Sequence, residues 1–119
     1  MTDSIKDNMN TLSNFDAHGI YAYTGTIYNE RGFDAHGIHK VTRTRYDERD
    51  FDVYGIHKDT GTKYDPWNFD AYRIHRDTGT EYDICGFDAY GFDMIGRHRE
   101  TGTRWNEQGF SREWVLHRA

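Results

Sequence analysis

Four histidines recur at the same position of a repeated sequence pattern, and a basic residue follows each of them. The pairs are His39-Lys40, His57-Lys58, His75-Arg76 and His98-Arg99. Because imidazole is a common ligand of Zn²⁺, these four histidines are candidate ligands for a divalent metal. A metal site, however, joins convergent ligands around one ion, whereas these recur along the chain, one in each of four repeats. The alternative is that each histidine forms hydrogen bonds with a neighbouring aspartate or backbone group.

The same pairs, together with Arg45, Lys63 and Arg104, predict a second kind of chemistry, a basic stripe with tyrosines close by. Basic side chains interleaved with aromatic rings can hold single-stranded nucleic acid or another anion. The alternative is a solvated face that partly neutralises its acidic neighbours. The chain as a whole has a formal net charge of −5, which gives no general case for nucleic acid or an anionic membrane as a partner.

A third set of residues lies at the predicted tips of turns and is aromatic or imidazole throughout: His18, His36, Tyr54, Tyr72 and Tyr90. Exposed tyrosines are favoured in protein interfaces because they bury a large area at a low entropy cost. This row is therefore the predicted surface for binding another protein. The alternative is that the rings only stack on one another and stabilise the chain.

An internal repeat must position all three sets. Phe15, Phe33, Phe51, Phe69 and Phe87 are each 18 residues apart, and each is followed by Asp. Such a period is typical of repeat architectures. It divides the chain into 15–32, 33–50, 51–68, 69–86 and 87–109. The last repeat carries five extra residues, because the pentad Phe87–Gly91 is followed by a second one, Phe92–Gly96.

The duplicated pentad identifies the elementary unit as aromatic-Asp-x-x-Gly. Aspartate at the first and glycine at the fourth position favour a type I turn, and the carboxylate can accept a hydrogen bond from the N–H two residues on. We therefore expect the aspartates to build turns, while Phe, Ile and Tyr of each repeat point inward, as in Phe51, Ile56 and Tyr64. Where Arg43, Asp50 or Arg73 replaces a glycine, the sequence predicts strain or a different turn.

Stacking of such repeats predicts an all-β fold: a short solenoid of about five coils, either β-helix-like or built of stacked β-hairpins. Residues 1–14 are expected to form an N-terminal cap or tail, with a short helix suggested by Ile5, Met9 and Leu12. Residues 110–119 are expected to form a C-terminal cap, in which Ser111 begins a helical turn.

The aromatic-Asp-x-x-Gly rhythm of residues 15–109 resembles several tandem β-repeat families. The five-residue unit is similar to pentapeptide-repeat proteins, Tyr-Asp-x-x-Gly resembles the YD repeats of large secreted bacterial shells, and the hairpin rhythm is similar to MORN repeats. The resemblance implies a bacterial or phage-type binding or scaffolding protein, such as an effector, an inhibitor or a structural element. It transfers no catalytic residue to this chain.

Composition and motifs favour a non-enzymatic protein. The serines are confined to the terminal segments, Cys85 is the single cysteine, and the sequence has no phosphate loop of P-loop or Rossmann spacing. We expect no cofactor. Residues 1–14 do not resemble a signal peptide and no run is long enough to span a membrane, so the sequence predicts a cytoplasmic protein, with secretion that needs no signal peptide as the alternative.

Overall fold

The structure, a computed structural model, describes residues 12–118. Its helix α1 spans Arg112–Arg118, and Leu12 and Ser13 are also helical. The remainder of the expected N-terminal cap lies outside the described residues. The chain divides into two compact units, with the boundary between Lys63 and Tyr64, inside the third repeat.

Residues 12–118 contain no extended strand. Their ladder contacts are seven isolated antiparallel bridges, and each joins residues six positions apart, from Phe15–Tyr21 to Trp105–Ser111. The predicted all-β solenoid is therefore wrong, both as a β-helix and as stacked β-hairpins. The repeat builds a succession of tight turns instead.

The pentad turn explains why strands do not form. The N–H of Asp16 donates to the carbonyl of Ile20 (2.9 Å), and the N–H of Gly19 donates to the carbonyl of Asp16 (3.0 Å). Asp16 Oδ1 also accepts from the N–H groups of His18 (2.8 Å) and Ile20 (2.9 Å). Since four hydrogen bonds are closed within five residues, few backbone groups remain to pair with a neighbouring repeat.

The same turn begins at every pentad, and the predicted role of aspartate as the turn-forming residue is confirmed. One side-chain oxygen accepts from the N–H groups two and four residues later at Asp34, Asp52, Asp70, Asp88 and Asp93. Asn29 and Asn106 do so equally well, each at 2.9 and 3.0 Å. The turn therefore needs an oxygen acceptor at this position and not a charge.

A wider turn follows each first pentad and contains the Thr-Gly-Thr motif. In the fourth repeat the N–H of His75 donates to the carbonyl of Thr80 (2.7 Å), and the N–H of Gly79 donates to the carbonyl of His75 (2.9 Å). The hydroxyls of Thr78 and Thr80 both donate to the carbonyl of Tyr82, at 2.6 and 3.0 Å. The threonine hydroxyls thus satisfy a backbone carbonyl and close the turn through side-chain hydrogen bonds.

The residues that replace glycine do not change the turn type. Arg43, Asp50 and Arg73 have φ of 59°, 69° and 66°, in the left-handed region that their glycine counterparts occupy. The N–H of Arg43 still donates to the carbonyl of His39 (2.8 Å). The expectation of a different turn is therefore wrong. Backbone strain remains, because a side chain in this region costs about 1–2 kcal/mol.

The buried centre of each repeat is a phenylalanine paired with a histidine. Phe33, Phe51, Phe69 and Phe92 are 0–2% exposed. Each meets the edge of the histidine six residues later, with ring centroids 4.9–5.0 Å apart and planes 72–78° apart. This tilted arrangement is favoured between aromatic rings. In the first repeat Tyr21 takes the place of histidine and lies 4.9 Å from Phe15.

The predicted inward position of isoleucine is wrong, and tyrosine is buried only in part. Ile56 and Tyr64 are only half-buried, and Ile38 and Ile74 are exposed. The reason is geometric: histidine is the residue bridged to phenylalanine, and the preceding isoleucine belongs to the rim of the pentad turn. The inner position is therefore occupied by histidine and not by isoleucine, and the histidine ring can also form hydrogen bonds.

At the C-terminus, Ser111 caps helix α1 as predicted, since its Oγ accepts from the N–H of Trp114 (3.2 Å). Trp114 stacks on Phe110, with centroids 4.0 Å apart and planes 8° apart. None of the helices described within residues 12–118 has the length and apolar character that crossing a membrane requires.

Replacement of His75 by alanine should lower the free energy of unfolding by about 2–4 kcal/mol, because it removes both a buried ring and a backbone hydrogen bond. Ile74→Ala is the control, since Ile74 is 37% exposed, and it should cost no more than about 1 kcal/mol. Urea unfolding of both variants provides the measurement. If Ile74→Ala were the more damaging change, isoleucine would be the inner residue after all.

Two glycines with similar backbone angles provide a second test. Gly91 and Gly96 have φ of 91° and 88°, but a Cβ added at Gly91 would lie 2.8 Å from His98 Nε2, whereas one at Gly96 meets nothing within 4 Å. Gly96→Ala should cost about 1–2 kcal/mol of backbone strain. Gly91→Ala should cost about 1–3 kcal/mol more, because the histidine must move. Equal losses in thermal unfolding would contradict the packing described here.

Candidate functional site

The four histidines of the predicted metal row are buried, with 4–7% of their surface exposed. The Nδ1 atoms of His39, His57, His75 and His98 each accept from the N–H two residues later, at 3.1–3.2 Å. His39 Nε2 lies 3.0 Å from the carbonyl oxygen of Arg31, so this ring is neutral and donates from Nε2. Their imidazoles are therefore part of the core and do not line a surface site.

Metal-ligand geometry within the described residues is confined to one group of three, Asp50, His57 and Asp59. No group of this kind in residues 12–118 joins two of the four histidines. The carboxylate of Asp50 lies 3.7 Å from Lys58 Nζ, and the N–H of Asp59 donates to His57. Asp50 and His57 Nδ1 are therefore already engaged within the protein.

The basic members of the stripe are exposed, but most of their charge is compensated. Lys58 pairs with Asp50 at 3.7 Å, Arg76 with Asp77 at 3.1 Å and Arg99 with Asp83 at 4.0 Å. The hydrogen bond from Arg76 lowers the pKa of the Asp77 carboxyl. Lys40 lies over the ring of Tyr28, with Nζ 5.8 Å from the centroid. The basic residues of the four histidine pairs therefore offer little uncompensated positive charge to a nucleic acid, whereas Arg45 and Arg104 line grooves.

The residues predicted to bind a partner all occupy the same place, the fourth position of a pentad, directly before the position of the glycine. The N–H groups of His18, His36, Tyr54, Tyr72 and Tyr90 donate to the aspartate two residues earlier. The first four side chains are exposed. Tyr90 is half-buried, and the guanidinium of Arg73 lies 5.9 Å from its ring centroid.

Two of these tips line the same cavity. His36 and Tyr54 border an open groove of about 650 Å³ in the N-terminal unit, which we call the first groove. Val53 and Ile38 contribute apolar surface to it. Arg45 lines the groove as well, and its guanidinium lies 6.0 Å from the ring centroid of Tyr46.

The C-terminal unit contains an equivalent groove of about 760 Å³, which we call the second groove. Seven lining residues of the first groove have counterparts in the second groove 59 positions later, which equals three repeats of 18 plus the inserted five. The seven are His36, Gly37, Ile38, Arg45, Tyr46, Val53 and Tyr54, and their counterparts are Ile95, Gly96, Arg97, Arg104, Trp105, Arg112 and Glu113. The groove is thus a product of the repeat, and its lining differs between the two units.

Sequence reasoning missed the second groove, although the repeat contains the signal that could have found it. Projecting His36 and Tyr54 forward by 59 positions leads to Ile95 and Glu113. The inserted pentad hides this correspondence from a search at constant spacing. Helix α1, which supplies one wall, also follows the last regular repeat and is not part of the repeated pattern.

An ion pair anchors the wall of the second groove. Arg112, the first residue of α1, donates from Nε to Asp88 Oδ2 (2.9 Å) and from Nη2 to Glu81 Oε1 (2.6 Å). The hydrogen bond to Asp88 raises the pKa of the Arg112 guanidinium. Asp88 is buried and belongs to Phe87–Gly91, the first of the two successive pentads. This pentad therefore supplies a carboxylate that holds the helix in place.

The ion pair can be separated from the turn by an Asp88→Asn substitution. Asparagine keeps the turn acceptor, as Asn29 and Asn106 show, but it removes the charge opposite Arg112. We expect the free energy of unfolding to fall by about 2 kcal/mol. Asp93→Asn, in a pentad turn for which no ion pair is seen among the described residues, should change it by about 0.5 kcal/mol or less. Equal effects in urea unfolding would show that the ion pair contributes nothing.

No protein-family model matches this chain, and neither the curated proteins nor the solved structures include a detectable relative.

Proposed function

We propose that this chain is a non-enzymatic repeat protein that binds an extended segment of another protein in the first groove. The observation that carries the proposal is the meeting of His36 and Tyr54 at one groove, although they are 18 residues apart in the sequence. Both belong to the row of turn-tip residues that the sequence predicts to bind a partner. Clefts that combine apolar surface with a few polar groups are the usual form of a binding site.

The tips are well suited to this role because their backbone is fixed before a partner arrives. The N–H of Tyr54 donates to Asp52 Oδ1 at 2.9 Å, and the N–H of His36 donates to Asp34 Oδ1 at 2.8 Å. Only the side-chain torsions remain to be ordered on binding. A preorganised aromatic side chain therefore contributes contact area at a small entropy cost.

The lining of the first groove indicates what the segment should contain. Val53 and Ile38 can contact one large apolar side chain, while the Tyr54 hydroxyl, the His36 ring and the Arg45 guanidinium can contact backbone carbonyls or a polar side chain. The groove has one basic side chain, Arg45, and one carboxylate, Asp52, which the pentad turn already uses. We therefore expect a segment without strong net charge.

A role as an effector, inhibitor or structural element of a bacterium or phage is part of the same proposal. It is supported by the resemblance of the pentad rhythm to tandem-repeat binding and scaffolding families. In each of these roles the chain would act by occupying a partner and not by transforming it.

Selection of a displayed library of random eight-residue peptides on the wild-type protein tests the proposal. Selected peptides should bind Tyr54→Ser and His36→Ser at least tenfold more weakly, because each change removes a contact ring. Circular dichroism should show both variants folded, since the pentad turn uses only their backbone N–H groups.

Tyr23→Ser is the matched control, because Tyr23 is exposed in the same unit and does not line the first groove. Its binding should equal that of the wild type. If every selected peptide bound Tyr54→Ser and His36→Ser as well as Tyr23→Ser, the first groove would not be a protein-binding site.

A further inference from the structure

The second groove exposes more apolar surface than its counterpart. Met94 and Ile95, at the tip of the last pentad, are 76% and 75% exposed, and Trp105 is 49% exposed. All three line this groove, together with Leu116 of helix α1. Methionine is adaptable in shape and common at surfaces that accept varied partners. Contiguous exposed apolar side chains around a concavity mark a site that another molecule covers.

The charges at this groove are mostly positive. Three arginines, Arg97, Arg104 and Arg112, line it beside a single carboxylate, Glu113. Arg112 is already paired with Asp88 and Glu81. Within residues 12–118 no carboxylate lies within salt-bridge distance of Arg97 or Arg104. Two arginines without a carboxylate partner therefore flank an apolar surface on a chain with a net charge of −5, and the guanidinium of Arg104 lies 5.4 Å from the ring centroid of Trp105.

We propose that the second groove binds an acidic segment of another protein, in which carboxylates flank a large apolar side chain. The carboxylates would pair with Arg97 and Arg104, whose guanidinium groups match carboxylate geometry. The apolar side chain would lie against Met94, Ile95 and Trp105. The proposal rests on the proposed function in one respect, since the second groove is the repeat equivalent of the first.

Two other anionic partners fit the groove less well. Single-stranded nucleic acid needs a series of stacking rings along a basic path. Here the lining has only the indole of Trp105 and the imidazole of His117, and Glu113 would repel phosphates. An anionic membrane is contacted by an apolar face or a polybasic segment. Here the apolar side chains surround a concavity of about 760 Å³, the shape that accepts a side chain.

The two grooves should also differ in what they select. At the position where the first groove has His36, the second has Ile95, and where the first has Ile38 the second has Arg97. The second groove thus replaces a polar tip by an apolar one and adds a cation beside it. One chain would therefore present two related sites with different peptide preferences.

The displayed library of random eight-residue peptides also tests this inference. Sequences selected on the wild-type chain are sorted by loss of binding to an Arg97→Gln and Arg104→Gln double variant. The peptides in that group should be enriched in Asp and Glu around Leu, Phe, Trp or Met. Their dissociation constants should rise roughly tenfold in the double variant, and binding should weaken as salt is added.

Two controls define specificity. Arg76→Gln removes an exposed arginine of the same unit that lies outside the second groove, and Tyr54→Ser alters only the first groove. Both should leave the acidic peptides bound as in the wild type. Met94→Ser with Ile95→Ser should weaken them without changing the salt dependence, because these side chains supply apolar contact and no charge.

Several outcomes would overturn the inference. In one, no selected peptide depends on Arg97 and Arg104; in another, those that depend on them are not acidic. Binding of a thymidine oligonucleotide or of phosphatidylserine vesicles that depends on the two arginines, without any acidic peptide, would assign the groove to nucleic acid or membrane. If all selected peptides depended on Tyr54 alone, this inference would be refuted and the proposed function would stand. If they all depended on the two arginines alone, the proposed function at the first groove would be refuted and this inference would stand.

Discussion

The structure depends on one interaction, the acceptance of two backbone N–H groups by a single side-chain oxygen at the start of each pentad. At Asp16 this oxygen fixes the N–H groups two and four residues later, and the same contact recurs in every pentad turn described. It supplies locally the hydrogen bonds that a sheet would supply between strands. A chain made of such units needs no long-range ladder, and it has none within residues 12–118.

The local closure of the backbone hydrogen bonds determines which side chains can be buried. Because the turns close on themselves, the interior of each repeat is little more than one phenylalanine and one aromatic partner. Histidine suits that partner position better than isoleucine, since its ring packs against phenylalanine while Nδ1 satisfies a backbone N–H. The histidines that resembled metal ligands are buried and serve to stabilise the fold. The residues at the turn tips are the ones that remain on the surface.

The grooves follow from the same geometry. In both grooves a pentad tip, the end of the following threonine-containing turn and the next structural element surround the hollow, and the residues at the tip decide its character. In the N-terminal unit the third wall is another pentad, which contains Tyr54, whereas in the C-terminal unit it is helix α1, held by Arg112. The buried Asp88, in the first of the two successive pentads, anchors that helix. A repeat of low complexity can in this way create sites of different specificity.

The sequence by itself determined the repeat, the pentad as its unit, the aspartate turns and the cap at Ser111, because these depend on contacts within about five residues. It could also place His36 and Tyr54 at turn tips. Only the tertiary structure decided that turns replace strands, that His57 and not Ile56 points inward, and that Arg97, Arg104 and Trp105 share a groove. Those outcomes depend on which residues meet across a turn and on what α1 packs against, and a local pattern does not contain that information.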